Sequence, residues 1–346
     1  MNNKKLKITA IVAIMAIVIG IVSFGVFKMG NASKNENKEK KEFTKITFCL
    51  DWTPNTNHTG LFVAKGKGYF EEEGLEVEFV QPPEDGALLM CSSGQAQFAI
   101  DAQDTFAAAL DGDKDYGVTA ISAILQHNTS GIISRKGDGI VSPAGLEGKT
   151  YSTWESPIEM AMIKNVMEEE NADFDKLKLI PNTITDEPAA LAAKQTDAIW
   201  VFYGWGGINA DIEKVDCDFF FFRDINPVFD YCTPVIFGNN EFMESNPEIT
   251  KAFLRACKKG YEYAVENPDD AADILIKEDS TNSLQGADKL VHESQKWISK
   301  EYISDAKSWG YIDSSRWDRF YKWLYDNKLT KNNLSKTGYT NEYLSE

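Results

Sequence analysis

The chain has 346 residues and a formal charge of −17. Beyond residue 45 the balance is 27 bases against 50 acids, a charge of −23. That argues against nucleic acid, against docking along an anionic membrane surface, and against a strongly anionic ligand unless its cleft is locally basic. The length exceeds one average domain and supplies material for one or two lobes with their own cores.

Near the start, Lys4, Lys5 and Lys7 precede an uncharged run from Ile8 to Phe27, which Lys28 closes. About 20 apolar residues suffice to cross a bilayer and exceed the usual h-region of a cleaved signal. Residues 1–30 are therefore expected to form a membrane anchor, with the N-terminus inside and the rest outside. Gly30-Asn31-Ala32 is a tolerable cleavage site, which keeps secretion without the anchor open. The first Cys after the run is Cys49, so a lipoprotein signal is not expected. The polar, Lys-rich residues 31–45 read as a flexible tether.

The body then alternates strand-like and helix-like runs, an α/β signature. Strand patterns cover residues 46–50, 77–80, 98–101 and 118–125, with helical stretches from Leu61, Gly86 and Gln103. A second set of strands covers 132–134, 149–153, 177–180, 198–203 and 219–222, with helices beginning near Pro157 and Glu187. From Asn246 the pattern is almost entirely helical, and Trp317, Phe320, Tyr321 and Leu324 form an apolar stripe near its end. Two α/β sets and a helical tail predict two lobes with a cleft between them. Residues 46–128 with 235–346 would form lobe I, and residues 129–234 an inserted lobe II.

In open α/β sheets, loops at the carboxyl ends of strands line the ligand crevice. The first such loop, Asp51-Trp52-Thr53-Pro54-Asn55-Thr56-Asn57-His58, supplies a flat Trp face, and Asn55 and Asn57 can read donors and acceptors on a planar polar ring. A turn fixed by Pro54, with the Asn side chains bonding backbone, is the plainer use. His58 either joins the site or caps the next helix. Asp101 and Gln103 follow the 98–101 strand, where Asp101 serves equally well as a helix N-cap. Ser156-Pro157-Ile158-Glu159 fits a capping box with Pro at the first helical position, so Trp154 and Glu155 are the contact candidates there. Tyr203 and Trp205 lie among glycines at the end of the 198–203 strand, where a backbone can approach a ligand closely. Trp200, Phe202 and residues 219–222 read as core.

Signals for catalysis are poor. The three His are far apart and no HExxH occurs, so no catalytic zinc is expected. Gly60 to Gly66-Lys67-Gly68 has the wrong spacing for a phosphate loop and lacks its Ser or Thr. The five Cys form no C-x-x-C pair. They read as small buried apolar side chains, with one or two disulfides left open and Cys217–Cys232 the nearest pair.

The stretch from Asp51 to Gly60 resembles the opening motif of substrate-binding proteins for thiamine-pyrimidine precursors. The likeness continues through Lys67-Gly68-Tyr69-Phe70-Glu71-Glu72-Glu73-Gly74-Leu75 and Ser93-Gly94-Gln95-Ala96-Gln97-Phe98. It resumes at Asp197-Ala198-Ile199-Trp200, at Asn240-Glu241-Phe242 with Asn246-Pro247-Glu248, and at Tyr339-Thr340-Asn341-Glu342-Tyr343-Leu344, so it covers nearly all of 46–346. The opening motif is specific; the middle ones are shared with sulfonate, nitrate and taurine binders.

The resemblance implies a type II periplasmic-binding-protein fold and the solute-binding component of an ABC importer. Such a protein is not an enzyme and carries no cofactor. It is held outside the cytoplasmic membrane by its anchor, or secreted if the anchor is cleaved. The implied ligand is an aminopyrimidine thiamine precursor, formylaminomethyl- or hydroxymethyl-pyrimidine. The implied partner is a membrane permease, and a monomer is expected. The same fold could carry another heterocycle, such as a flavin precursor, or a sulfonate- or nitrate-type anion. The family also includes the fungal-type pyrimidine synthase, which consumes pyridoxal phosphate and its own histidine. Ungapped matching from Gly94 puts Asp101 at that enzyme's cofactor-binding Lys and Thr105 at its donor His. Of its Cys-rich iron-binding motif, Val228-Phe229-Asp230-Tyr231-Cys232 keeps only the last Cys. An aspartate forms no Schiff base and a threonine donates no imidazole, so the synthase reading is poor.

Overall fold

The structure, a computed structural model, describes residues 43–112 and 115–344. The anchor expected over 1–30 and residues 31–42 of the tether expected over 31–45 lie outside the described residues; the tether's last two residues, Thr44 and Lys45, are not flexible linker but open the first strand. Among the described residues, no helix is long and apolar enough to cross a membrane.

Among the described residues, ten strands form two five-stranded mixed sheets. In the first, β1 (Thr44–Cys49), β2 (Leu75–Val80), β3 (Phe98–Asp101), β4 (Val118–Ala123) and β10 (Val235–Asn239) lie in the order β2-β1-β3-β10-β4. The second holds β5 (Ser130–Arg135), β6 (Thr150–Thr153), β7 (Lys178–Pro181), β8 (Ala198–Phe202) and β9 (Cys217–Phe221), in the order β7-β6-β8-β5-β9. In each sheet three strands run parallel, and the first strand after a passage between the sheets pairs antiparallel beside them: β10 in the first, β5 in the second. The chain passes between sheets twice, after β4 and after β9.

Most local patterns produce the elements they announce. Ile46 and Phe48 alternate into the core of the first sheet, each about 1% exposed or less. Helices α1 (Thr59–Gly66), α2 (Gln103–Asp111), α3 (Pro157–Glu169) and α4 (Pro247–Glu266) start within two residues of the positions read from the sequence, and α5 (Asp288–Ile298) and α6 (Ser314–Asp326) follow in the tail. In α6 the stripe Trp317, Phe320, Tyr321 and Leu324 is fully buried. That helix packs against both crossings. Tyr231 stacks on Phe320 with centroids 4.1 Å apart, while Arg316 Nη1 donates to Gln126 O at 3.0 Å and its Nε faces Asp230 at 3.4 Å.

Three expectations need correction. Strand β10 carries no period-2 pattern and sits beside a crossing, so it escaped notice; it is a short, almost wholly buried run that completes the first sheet. The tail is not helical throughout: past α6 the chain lies irregularly, with a single parallel bridge between Tyr339 and Ala120. Phe202 is not core, because it is the last residue of the central strand β8 and stands 39% exposed. All five cysteines are free thiols, four of them buried and Cys217 partly so.

Candidate functional site

The loop after β1 is a rigid platform. Asn55 Oδ1 accepts from Asn57 N at 2.9 Å, and Asn55 N donates to His58 Nδ1 at 3.2 Å, a reciprocal cap on the short turn Thr56–His58. With Nδ1 accepting, the imidazole proton sits on Nε2, which donates to Asp51 Oδ1 at 2.8 Å. His58 is fully buried and both its nitrogens are engaged. From the other side, Tyr261 OH donates to Asn57 O at 2.7 Å and Tyr302 OH to Thr56 O at 2.5 Å. Asn55, Asn57 and His58 thus shape the loop, and Trp52 projects from it 59% exposed.

The loop after β3 adds carboxylates. Burial pushes the Asp101 carboxyl from its ordinary 3.8 up to about 7, and the charges of Asp51 and Asp104 push the same way, against the N–H that Ala102 donates to Asp101 at 2.7 Å. Gln103 is fully buried and structural in position. Its Oε1 accepts from Cys232 N at 2.9 Å and its Nε2 donates to Trp317 O at 3.3 Å, which ties the start of α2 to the second crossing. Asp104 stands next on α2, its pKa raised by burial, and its Oδ1 is shielded from solvent with no hydrogen-bond partner.

In the second sheet, the capping box at α3 forms as expected. Glu159 is buried, and its carboxylate accepts from Tyr151 OH at 2.6 Å, Thr153 Oγ1 at 2.8 Å and Ser156 N at 3.2 Å. Burial still raises its pKa, because these bonds offset the desolvation only in part. Just before it, Trp154 is 47% exposed and rests edge-on against Trp200, centroids 5.3 Å apart. Glu155 adopts a positive φ of 62° and donates its N–H to Thr153 Oγ1 at 2.9 Å. Tyr203 and Trp205 lie in a single π-type turn, Tyr203–Gly207, that leans on α5. Tyr203 packs among Phe219 and Trp297, Trp205 packs on the first sheet's core, and Ser294 hydroxyl donates to Gly204 O while meeting Thr56 Oγ1 at 2.6 Å.

A cavity of about 560 Å³ opens between α2 and the start of α3, where Asp104 and Thr105 meet Trp154 and Ser156, with Asp111 and Lys331 farther along it. Of the sequence candidates, Trp154 lines this cavity and Asp101 stands beside Asp104. Trp52 and Phe202 are the other exposed aromatics that follow directly on, or end, core strands. Asp104 was missed because an acid in a helix's first turn reads as a partner for the helix dipole. Phe202 was missed because an apolar strand end reads as core. A second cavity, about 630 Å³, is lined by Leu89, Tyr116 and Asn239 among others and touches none of the candidates.

The family model described as NMT1/THI5 like matches residues 55–271. The chain is 27% identical over 318 residues to the formylaminopyrimidine-binding protein of Halalkalibacterium halodurans, covering 90% of this chain and 92% of that one. It is also 27% identical over 247 residues to the 4-amino-5-hydroxymethyl-2-methylpyrimidine phosphate synthase THI13 of Saccharomyces cerevisiae, covering 65% and 68%. Among solved structures, the periplasmic nitrate-binding protein NrtA from Synechocystis PCC 6803 shares the fold with a TM-score of 0.64, at 14% identity over 87% of each chain. A match of this extent, carried through the platform loop, both crossings and α3, makes the chain a member of the NMT1/THI5-like family.

Proposed function

We propose that the protein is the extracytoplasmic solute-binding component of an ABC importer and that it binds an aminopyrimidine precursor of thiamine, formylaminomethyl- or hydroxymethyl-pyrimidine. The observation that carries this reading is the cavity between the two halves, where an exposed indole and a buried carboxylate with one unbonded oxygen share the lining. An indole suits a flat heteroaromatic ring, and a carboxylate suits its exocyclic amine. The likeness to a formylaminopyrimidine-binding protein over nine-tenths of the chain supports the same ligand class.

In this reading, residues 46–128 with 235–346 and the inserted residues 129–234 are lobes that close on the ring by bending at the two crossings. The closed form is what a permease recognises. Trp52 and Trp154 stack on the ligand, each contact contributing roughly 1–3 kcal/mol by analogy with nucleobases. Asp101 and Asp104 take the amine. Asn57 and Glu155 lie within the same pair of loops. Residues 1–30 hold the protein at the outer face of the membrane. The synthase chemistry of the yeast relatives finds Asp101 and Thr105 where it needs Lys and His.

A second reading has one observation in its favour. Lys331 lines the same cavity, and a base there suits a nitrate- or sulfonate-type anion. Asp104 and Asp111 in the same lining work against it, since like charge repels the anion at close range.

Isothermal titration of the full chain in mild detergent with both pyrimidines, taurine and nitrate separates the readings. Submicromolar heat from a pyrimidine and none from the anions is the expected result. Anion binding alone would overturn the ligand. Trp52→Ala and Trp154→Ala should each weaken pyrimidine binding at least tenfold and leave the melting temperature within a few degrees, because both side chains are largely exposed. Undiminished affinity would remove that Trp from the site.

A further inference from the structure

Asp104 also indicates which edge of the ligand is read, and in which protonation state. Asp104 lines the cavity; backbone N–H groups of Asp104 and Thr105 reach its carboxyl, yet its Oδ1 has no hydrogen-bond partner, and a buried acceptor left unmade costs about 1–3 kcal/mol. The groups around it are mostly acidic. Asp101 and Asp51 lie toward the platform loop, Asp111 and Lys331 share the cavity, and the buried hydroxyls of Tyr231 and Tyr321 sense its charge from the crossing and from α6. Gln103, one residue earlier, spends its donors and acceptor on the crossing and on α6 and offers Asp104 nothing. A carboxylate in this setting is neutralised by a proton of its own or by donors that a ligand brings.

We propose that Asp104 selects the ligand by accepting two N–H donors from an amidine-like edge, an exocyclic amine and the protonated ring nitrogen beside it. This rests on the aminopyrimidine reading. A 4-aminopyrimidine carries its amine next to a ring nitrogen, so protonation of that nitrogen creates two parallel donors matched to one carboxylate. The proton is shared between the ring nitrogen and the carboxyl. It is supplied by Asp104 itself where the empty site is already protonated, and by solvent at higher pH. No other bond forms or breaks. An anion, a neutral amide or a ring lacking the amine offers no such pair.

Binding is therefore linked to one proton, taken from solution once both free partners are deprotonated, and the affinity falls by up to tenfold per pH unit in that range. The raised pKa values of Asp101 and Asp104 place the onset above the ordinary carboxylate range. The experiment is calorimetric titration of the full chain with hydroxymethyl-aminopyrimidine and with its analogue lacking the 4-amino group. It runs from pH 6 to 9 in buffers of different ionisation enthalpy, with Asp104→Asn in parallel. The wild type should take up close to one proton at pH 9, bind the amine-free analogue at least tenfold more weakly, and lose affinity with rising pH. In Asp104→Asn the affinity at pH 7 should drop at least tenfold and the proton uptake disappear. Wild-type binding without proton uptake at pH 9 overturns the proposal without recourse to any variant, as does an Asp104→Asn variant that keeps the wild-type slope; in both cases the aminopyrimidine reading stands. A wild type that binds no aminopyrimidine ends both.

Discussion

Gly260→Ala should lower the stability of the chain by about 2–3 kcal/mol. A Cβ at this position in α4 would lie 2.0 Å from the carbonyl oxygen of Gly60 and 3.1 Å from Ala64 Cβ, both in α1. The obstacle is backbone, so no side chain can rotate aside and the two helices must separate. Ala is favoured over Gly within a helix by about 1 kcal/mol, which offsets only part of the clash. The damage should reach the site. Tyr261, the next residue, stacks on Trp309 with centroids 4.4 Å apart and holds Asn57 O with its hydroxyl. Urea unfolding and ligand titration should show a lower midpoint together with weaker binding. An unchanged midpoint would show that the helices part freely at this crossing.

Asp101→Asn should act in the opposite direction, stabilising the ligand-free protein at pH 8 by on the order of 2–4 kcal/mol. The folded pKa of Asp101 is raised by burial from 3.8 to about 7, so the folded chain holds this proton longer than the unfolded chain does. The stability this affords is fully present below pH 3.8 and is lost as pH rises through about 7. Asn keeps an oxygen to accept from Ala102 N but has no charge to desolvate. The variant should match the wild type near pH 4, gain on it up to about pH 7 and keep a constant lead above. Unfolding midpoints at pH 5 and pH 8 give the comparison, and parallel profiles would contradict it. The same change should weaken aminopyrimidine binding, a conflict between stability and function typical of buried charges kept for a ligand.

Each of these effects depends on residues distant in the chain, and that separates what the sequence revealed from what it hid. The platform loop could be read because a Trp, a Pro and two Asn between a strand and a helix have few other uses. The box from Ser156 to Glu159 could be read because its bonds close within four residues. The stripe of α6 followed from helical spacing, and the five cysteines read as buried apolar groups from their spacing alone.

The sequence by itself determined the local elements and the loops that end the parallel strands, because periodicity and capping act over a few residues. Only the tertiary structure decided what each side chain in those loops meets. Gln103 bonds Cys232, 129 residues away, and Ser294 bonds Gly204 across 90, so Gln103 became a brace and the Tyr203–Trp205 turn came to rest on α5. Phe202 was left exposed because it is the last residue of its strand, and Asp104 came to lie near the buried Tyr231 and Tyr321, distant in the chain. Burial and hydrogen-bond satisfaction are set by such long-range neighbours, and they separate the residues that build this site from those left facing its cavity.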